Sequence, residues 1–142
     1  MHMNKEIQHK ILKVQNRIEE LAVIEIFLED LGDAWELDPS LVLSLNLVIE
    51  EAFTNIVKYG YDDNGEHIIE IIFSHEPDLL TIEIIDDGHH WDPTIKEDPD
   101  ISLSAEERPV GGLGIFLIRK IMNTVVYQRI ENQNYLKLTK KI

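Results

Sequence analysis

The sequence predicts a two-layer α/β sandwich, a mostly antiparallel sheet with all its helices on one face, and three observations predict it. Strand-like runs occur as neighbouring pairs joined by short turns, at 67–86 and again at 124–142. Helical patterns with apolar residues at spacings of three and four lie between the strand runs rather than alternating with them one for one. The order that results is β, α, α, β, β, a long loop, α, β, β, which favours antiparallel pairing with helices packed on one side.

The first run, "KEIQHKILKV" (5–14), mixes polar and apolar positions and reads as an imperfect edge strand. Asn16, with Glu19 three residues on, resembles a capping box, and Ile18, Leu21, Ile24, Phe27 and Leu28 then carry a mostly apolar helix expected to end near Gly32. Asp38-Pro39 is an N-cap followed by proline at the first helical position. It opens a second helix running to about Tyr59, with Gly60 as its stop. "DDNG" (62–65) is a turn, and "HIIEIIFSHE" and "LLTIEIID" are strands joined at Pro77-Asp78. From Asp87 to Gly112 no period persists; a loop of that length in a compact domain is usually a lid, a binding loop or disorder. "LGIFLIRKIMN" is a short apolar helix starting at a glycine cluster, and "TVVYQRI" and "YLKLTKKI", joined by "ENQN", close the chain as a hairpin.

A chain of 142 residues, 44% hydrophobic and 28% charged, has globular composition and is expected to form one domain over 1–142. The opening "MHM" reads as a vector remnant ahead of Met3, and residues 1–4 are assigned no structure. The absence of cysteine excludes a disulfide framework, a zinc knuckle and a thiol nucleophile, and fits a cytosolic address. No apolar run is expected to reach the roughly 18 to 20 residues that cross a bilayer, so no membrane partner is expected. A net charge of -14 argues against a nucleic-acid surface, leaving a basic protein partner or simple solubility as its meaning.

Three short segments carry chemistry. In "EEAFTNIVKYG", Glu51 and Asn55 are four apart and share one helix face with Leu47 and Lys58. A carboxylate and an amide at the core border read either as a mutually satisfied polar pair or as hard-oxygen donors of the kind magnesium accepts. In "IEIIDDGHHWDP", Asp86 ends a strand and Gly88 allows close backbone approach, although Asp-x-Gly alone is a common turn. In "PVGGLGIFLIRK", Gly111, Gly112 and Gly114 stand at a helix start, where free N–H groups and the positive end of the helix dipole suit an anion. The segment is neither a Walker loop nor a dinucleotide fingerprint.

In their order and separation these three motifs resemble the GHKL ATP-binding superfamily and, within it, the small serine kinases that act as bacterial anti-sigma factors, the RsbW type. The resemblance runs from about residue 7 to Ile142 and implies a Bergerat-type ATP-binding fold, with 87–112 as an ATP lid. It also implies ATP and Mg2+ as cofactors. By the resemblance Asn55 holds magnesium, Glu51 is the general base or orients the attacking hydroxyl, and Asp86 accepts from the adenine amino group beside Gly88. Gly112 and Gly114 present N–H groups to the phosphates. The implied partners are an anti-anti-sigma (STAS-type) protein substrate, a sigma factor and a second copy of the chain.

The sequence departs from the superfamily where many members have D-x-G-x-G, because His90 occupies the second glycine's place and Trp91-Asp92-Pro93 follow. His89 and His90 lack the spacing of a zinc site and suit stacking or surface roles. Arg108 is a candidate phosphate clamp or an ion-pair partner of Glu106 or Glu107. Thr139 either reaches the adenine region or is a plain strand threonine. Rival readings are a nucleotide-gated binding module without turnover, a detached histidine-kinase domain, and an interaction protein with an empty site.

Overall fold

In a computed structural model that describes residues 7–95 and 112–142, the elements are β1 (Gln8–Gln15), α1 (Leu21–Ala34), α2 (Pro39–Tyr59), β2 (Ile68–Glu76), β3 (Leu79–Asp86), α3 (Gly112–Ile121), β4 (Thr124–Ile130) and β5 (Gln133–Lys141). The strands form one sheet in the order β1-β2-β3-β5-β4, with every neighbouring pair antiparallel. The expected α/β sandwich is thus the observed fold, and β1 is an edge strand as its mixed pattern suggested.

Register explains the core. Ile71 of β2 faces Ile84 of β3, which faces Leu136 of β5, while Phe73, Ile82 and Leu138 form the next row, and all of these side chains are buried. A period of two puts them on one face of the pleat. Leu28, Leu45, Ile49, Phe53 and Ile115 from the helices complete the same cluster. Residues of opposite parity, such as Ile11, Ile68 and Val126, stay exposed on the other face.

Helix α2 begins where Asp38 Oδ1 accepts from the Ser40 N–H at 2.9 Å and from the Ser40 hydroxyl at 2.8 Å, with Pro39 supplying a ready-made φ at the first position. Those bonds hold the Asp38 carboxyl below its ordinary pKa. Leu45, Ile49, Ala52, Phe53 and Ile56 are the buried stripe. Among the described residues α2 is the one helix long and apolar enough to cross a membrane, with a mean hydropathy of 1.4, which the sequence reading did not expect. The stripe, however, is packed into the domain core, and Glu50, Glu51 and Asn55 interrupt the outer turns.

Local expectations failed where a better-placed residue took over. Asn16 does not cap α1: its Oδ1 accepts from the His67 N–H at 2.9 Å and its amide donates to Gly65 O at 3.2 Å, tying β1 to the segment before β2. Gly32 does not stop α1 but lies inside it, where a Cβ would come 2.7 Å from Val42 Cγ2 and hold α2 away. The helix instead ends with Glu36 at φ 54, while the Leu37 N–H bonds Gly32 O and the Glu36 N–H bonds Asp33 O, a Schellman closure with glutamate in the usual glycine place. The last hairpin turns on Glu131 and Asn132 alone, both at positive φ (47 and 67), as a two-residue turn of type I′ requires. Gln133 and Asn134 therefore belong to β5 and not to the turn.

Candidate functional site

The C-terminal ends of α2 and β3, the start of α3 and the first residues of β5 converge around a narrow cleft that opens to solvent. Its walls are Ala52, Asn55 and Ile56 from α2, Ile115 and Ile118 from α3, and Asp86, Asn134 and Leu136 from the sheet, with His89, Trp91 and Pro93 along its rim.

At one end is Asp86, the last residue of β3, 5% exposed. Its Oδ1 accepts from the Gly88 N–H and from Asn134 Nδ2, each at 2.9 Å, and Oδ2 takes no hydrogen bond from the described residues. Burial pushes the Asp86 carboxyl above its ordinary pKa, against the lowering pull of the Asn134 and Gly88 bonds. Asn134, facing Asp86 across the β3–β5 ladder, also donates to His89 O at 3.0 Å. Its own Oδ1 accepts from the Tyr127 hydroxyl at 2.5 Å and from Arg129 Nη1 at 3.1 Å. Arg129 Nη1 donates as well to Gly88 O at 2.6 Å, so three side chains of the final hairpin fix the Asp86–His89 loop.

Gly88 is glycine for a packing reason. A Cβ there would come 2.3 Å from Gly60 O, whose carbonyl also accepts from the His89 N–H at 2.9 Å. The loop after β3 is thereby pressed against the end of α2. Gly88→Ala should cost about 1–3 kcal/mol by overpacking a site that backbone closes from both sides. Urea unfolding checks this, and a variant as stable as the wild type would contradict the close approach.

At the other end Glu51 and Asn55 project from successive turns of α2 toward Gly114 in the first turn of α3. A Cβ on Gly114 would lie 2.9 Å from Glu51 Oε2 and 3.2 Å from Asn55 Nδ2. Both side chains are half-buried, and neither has a hydrogen bond or ion pair with any described residue. Their polar atoms are therefore open to solvent or to a ligand rather than tied up within the fold. An amide and a carboxylate oxygen beside a helix N-terminus suit Mg2+ and phosphate together, since magnesium usually takes one or two protein ligands and completes its shell with phosphate and water. No cluster of three or more His, Cys, Asp or Glu able to hold a metal occurs among the described residues. His90 stands edge-on to Tyr127 at 5.7 Å, and Tyr59 and Trp91 are 6.4 Å apart at the rim.

The sequence expectations therefore divide. Asn55 and Asp86 line this cleft, Gly88 packs beside Asp86 and Gly114 beside Glu51 and Asn55, and Gly112 opens α3. Arg108 and Gly111 lie outside the described residues. Thr139 does not reach the cleft: it pairs with Thr81 on the odd-numbered, outward face of β5, and its hydroxyl bonds Thr124. Asn134, Tyr127 and Arg129 were not anticipated. The missed signal was parity, because Asn134, Leu136 and Leu138 alternate inward on one strand.

The family model for the histidine kinase-like ATPase domain matches residues 14–140. This chain belongs to that family. Among its relatives, the serine-protein kinase RsbW of Bacillus cereus (strain Q1) is 31% identical over 136 residues, which cover 92% of this chain and 83% of that protein. The serine/threonine-protein kinase BtrW of Bordetella bronchiseptica is 30% identical over 109 residues, covering 77% of this chain and 75% of that one. The histidine kinase domain of the blue-light activated histidine kinase of Erythrobacter litoralis EL346 superposes with a TM-score of 0.52 at 14% identity, over 87% of this chain and 59% of its own. The last likeness concerns the fold alone. The first two make this an RsbW-like member of the family.

Proposed function

We propose that this histidine kinase-like ATPase domain transfers the γ-phosphate of ATP to a serine or threonine of a small antagonist protein, the anti-anti-sigma (STAS) type being the expected substrate, and so controls a partner such as a sigma factor. The observation that carries the reading is the pair Glu51 and Asn55, half-buried, without partners among the described residues, and set against Gly114 at the start of α3. A carboxylate and an amide that are bound to no described neighbour and stand beside a helix start are free to meet a metal and a hydroxyl. RsbW-type relatives named as serine-protein kinases support the same chemistry.

In this reading Asp86 accepts from the adenine amino group through Oδ2, with Oδ1 already held by Asn134 and Gly88. The backbone N–H groups at Gly112 and Gly114 meet the phosphates. Asn55 is the protein's magnesium ligand, and the metal's contribution when bound is to neutralise charge on the phosphates. Glu51 accepts the proton of the attacking hydroxyl or orients it. Arg108, outside the described residues, clamps phosphate in this reading. The whole chain, 1–142, acts as a single cytosolic domain that pairs with a second copy of itself.

The test is incubation with γ-labelled ATP, magnesium and each STAS-type protein encoded by the same genome. Label should appear on a serine or threonine of one of them and disappear with Asn55→Ala. ATP binding without transfer to any of them would favour the second reading, a nucleotide-gated binding module.

A further inference from the structure

The base-side loop is held from both flanks. On the β5 side, Asn134 and Arg129 grip Asp86 and Gly88. On the β2 side the ladder between β2 and β3 stops at Glu70–Ile85, one residue short of Asp86. Beyond that point the link is made by His67, just ahead of β2. Its Nδ1 lies 3.1 and 3.2 Å from the two oxygens of Asp87, and its Nε2 lies 2.9 Å from Asp63 Oδ1 in the turn after α2. An imidazole can donate from both nitrogens only when protonated. Tyr61 stacks on the ring with centroids 4.3 Å apart, an arrangement that also favours the cation.

From this arrangement we infer that His67, as an imidazolium clamp between Asp63 and Asp87, is a positioning residue for the nucleotide-base loop, so that nucleotide affinity declines as pH rises and the clamp loses its proton. The inference rests on the reading of Asp86 as the base acceptor. A neutral ring donates from one nitrogen only, so one carboxylate is released. If that is Asp87, the β2-side tie of the loop is lost, and Asp86 is its chain neighbour.

The surroundings give the sign. The Asp63 and Asp87 bonds raise the His67 pKa above its ordinary value, and the Asp63 carboxyl is correspondingly lowered by His67 and the Gly65 N–H. Protonated His67 therefore contributes fully below about pH 6.5, and the contribution disappears as pH climbs through the raised folded-state value. The other groups facing the cluster are Tyr61, whose phenol is held far above its usual range by burial and by Asp86 and Asp87, and His89, which stands 3.9 Å from Asp62. Arg129 and Asp86 lie on the opposite side of the loop.

The experiment has two arms, run on the wild type, His67→Gln and Asp87→Asn. In the first, ADP affinity is measured by calorimetry from pH 5.5 to 8.5. Protonation of the nucleotide itself is common to all three proteins, so the ratio of wild-type to variant affinity isolates the clamp. That ratio should be about threefold at the acidic end, as suits a solvent-accessible charged hydrogen bond, and fall to near one at the alkaline end. In the second arm, the Gly88 amide shift and the His67 ring are followed by NMR without nucleotide. Gly88 should titrate with the His67 pKa in the wild type and stay flat in His67→Gln. A Gly88 amide blind to His67, or a ratio constant with pH, overturns the clamp. Failure of the wild type to bind ADP at any pH, with Gly88 still following His67, would overturn the nucleotide reading while leaving the clamp in place.

Discussion

Glu51→Gln is expected to cut the phosphotransfer rate by about a hundredfold to ten-thousandfold while leaving ATP affinity close to that of the wild type. Glutamine keeps the length, volume and helix propensity of glutamate, so α2 and its packing are unchanged. Glu51 has no hydrogen-bond or ion-pair partner among the described residues, so the substitution breaks no contact that holds the fold. What disappears is an ionisable oxygen that can take a proton from the acceptor hydroxyl. Single-turnover transfer and calorimetric ATP binding separate the two effects. Equal losses in rate and affinity would mean that Glu51 serves the shape of the site rather than its chemistry.

Asp86→Asn is expected to act the opposite way, weakening ATP binding by about tenfold to a hundredfold through loss of a charged hydrogen bond to the base. Its effect on stability should run against intuition. Burial raises the folded-state pKa of Asp86, so the folded protein binds more protons than the unfolded chain between the ordinary carboxylate value and the raised one. Stability contributed through this group therefore falls as pH rises across that window, and at neutral pH the buried charge is a burden. The asparagine variant should unfold no more easily than the wild type at pH 7 and should lose the stability difference on acidification. A variant that is both much less stable at pH 7 and unaltered in affinity would show that Asp86 organises the hairpin instead of meeting the nucleotide.

Much of this was legible in the sequence, for identifiable reasons. The strands declared themselves because two short Ile-rich runs, 68–76 and 79–86, meet at the Pro77-Asp78 turn, and the second alternates Leu80, Ile82 and Ile84 with Thr81 and Glu83. The start of α2 was legible because Asp38-Pro39 is a cap with a mechanism. The end of α1 was not, because Gly32 reads as a stop from sequence but serves as a flat contact for Val42, and Glu36 takes the left-handed position that glycine usually fills. Within the site, Asp86, Glu51 and Asn55 stood out as polar residues in apolar runs. Asn134 did not, because a polar residue beside Glu131, Asn132 and Gln133 looks like one more turn residue until the two-residue turn places it in β5. His67 was hidden for a related reason: its importance lies in carboxylates four and twenty positions away that only the end-to-end arrangement of α2, β2 and β3 brings together.

If Glu51, Asn55 and Asp86 form the magnesium-dependent ATP site proposed above, calorimetric titration shows it most directly. ATP and ADP would each be titrated with and without magnesium into the wild type and into Asn55→Ala. Binding strengthened by magnesium in the wild type, with that gain lost in the variant while its unfolding midpoint stays near the wild-type value, is the predicted result. No nucleotide binding above that of an unrelated protein, or magnesium dependence that survives in Asn55→Ala, would contradict it.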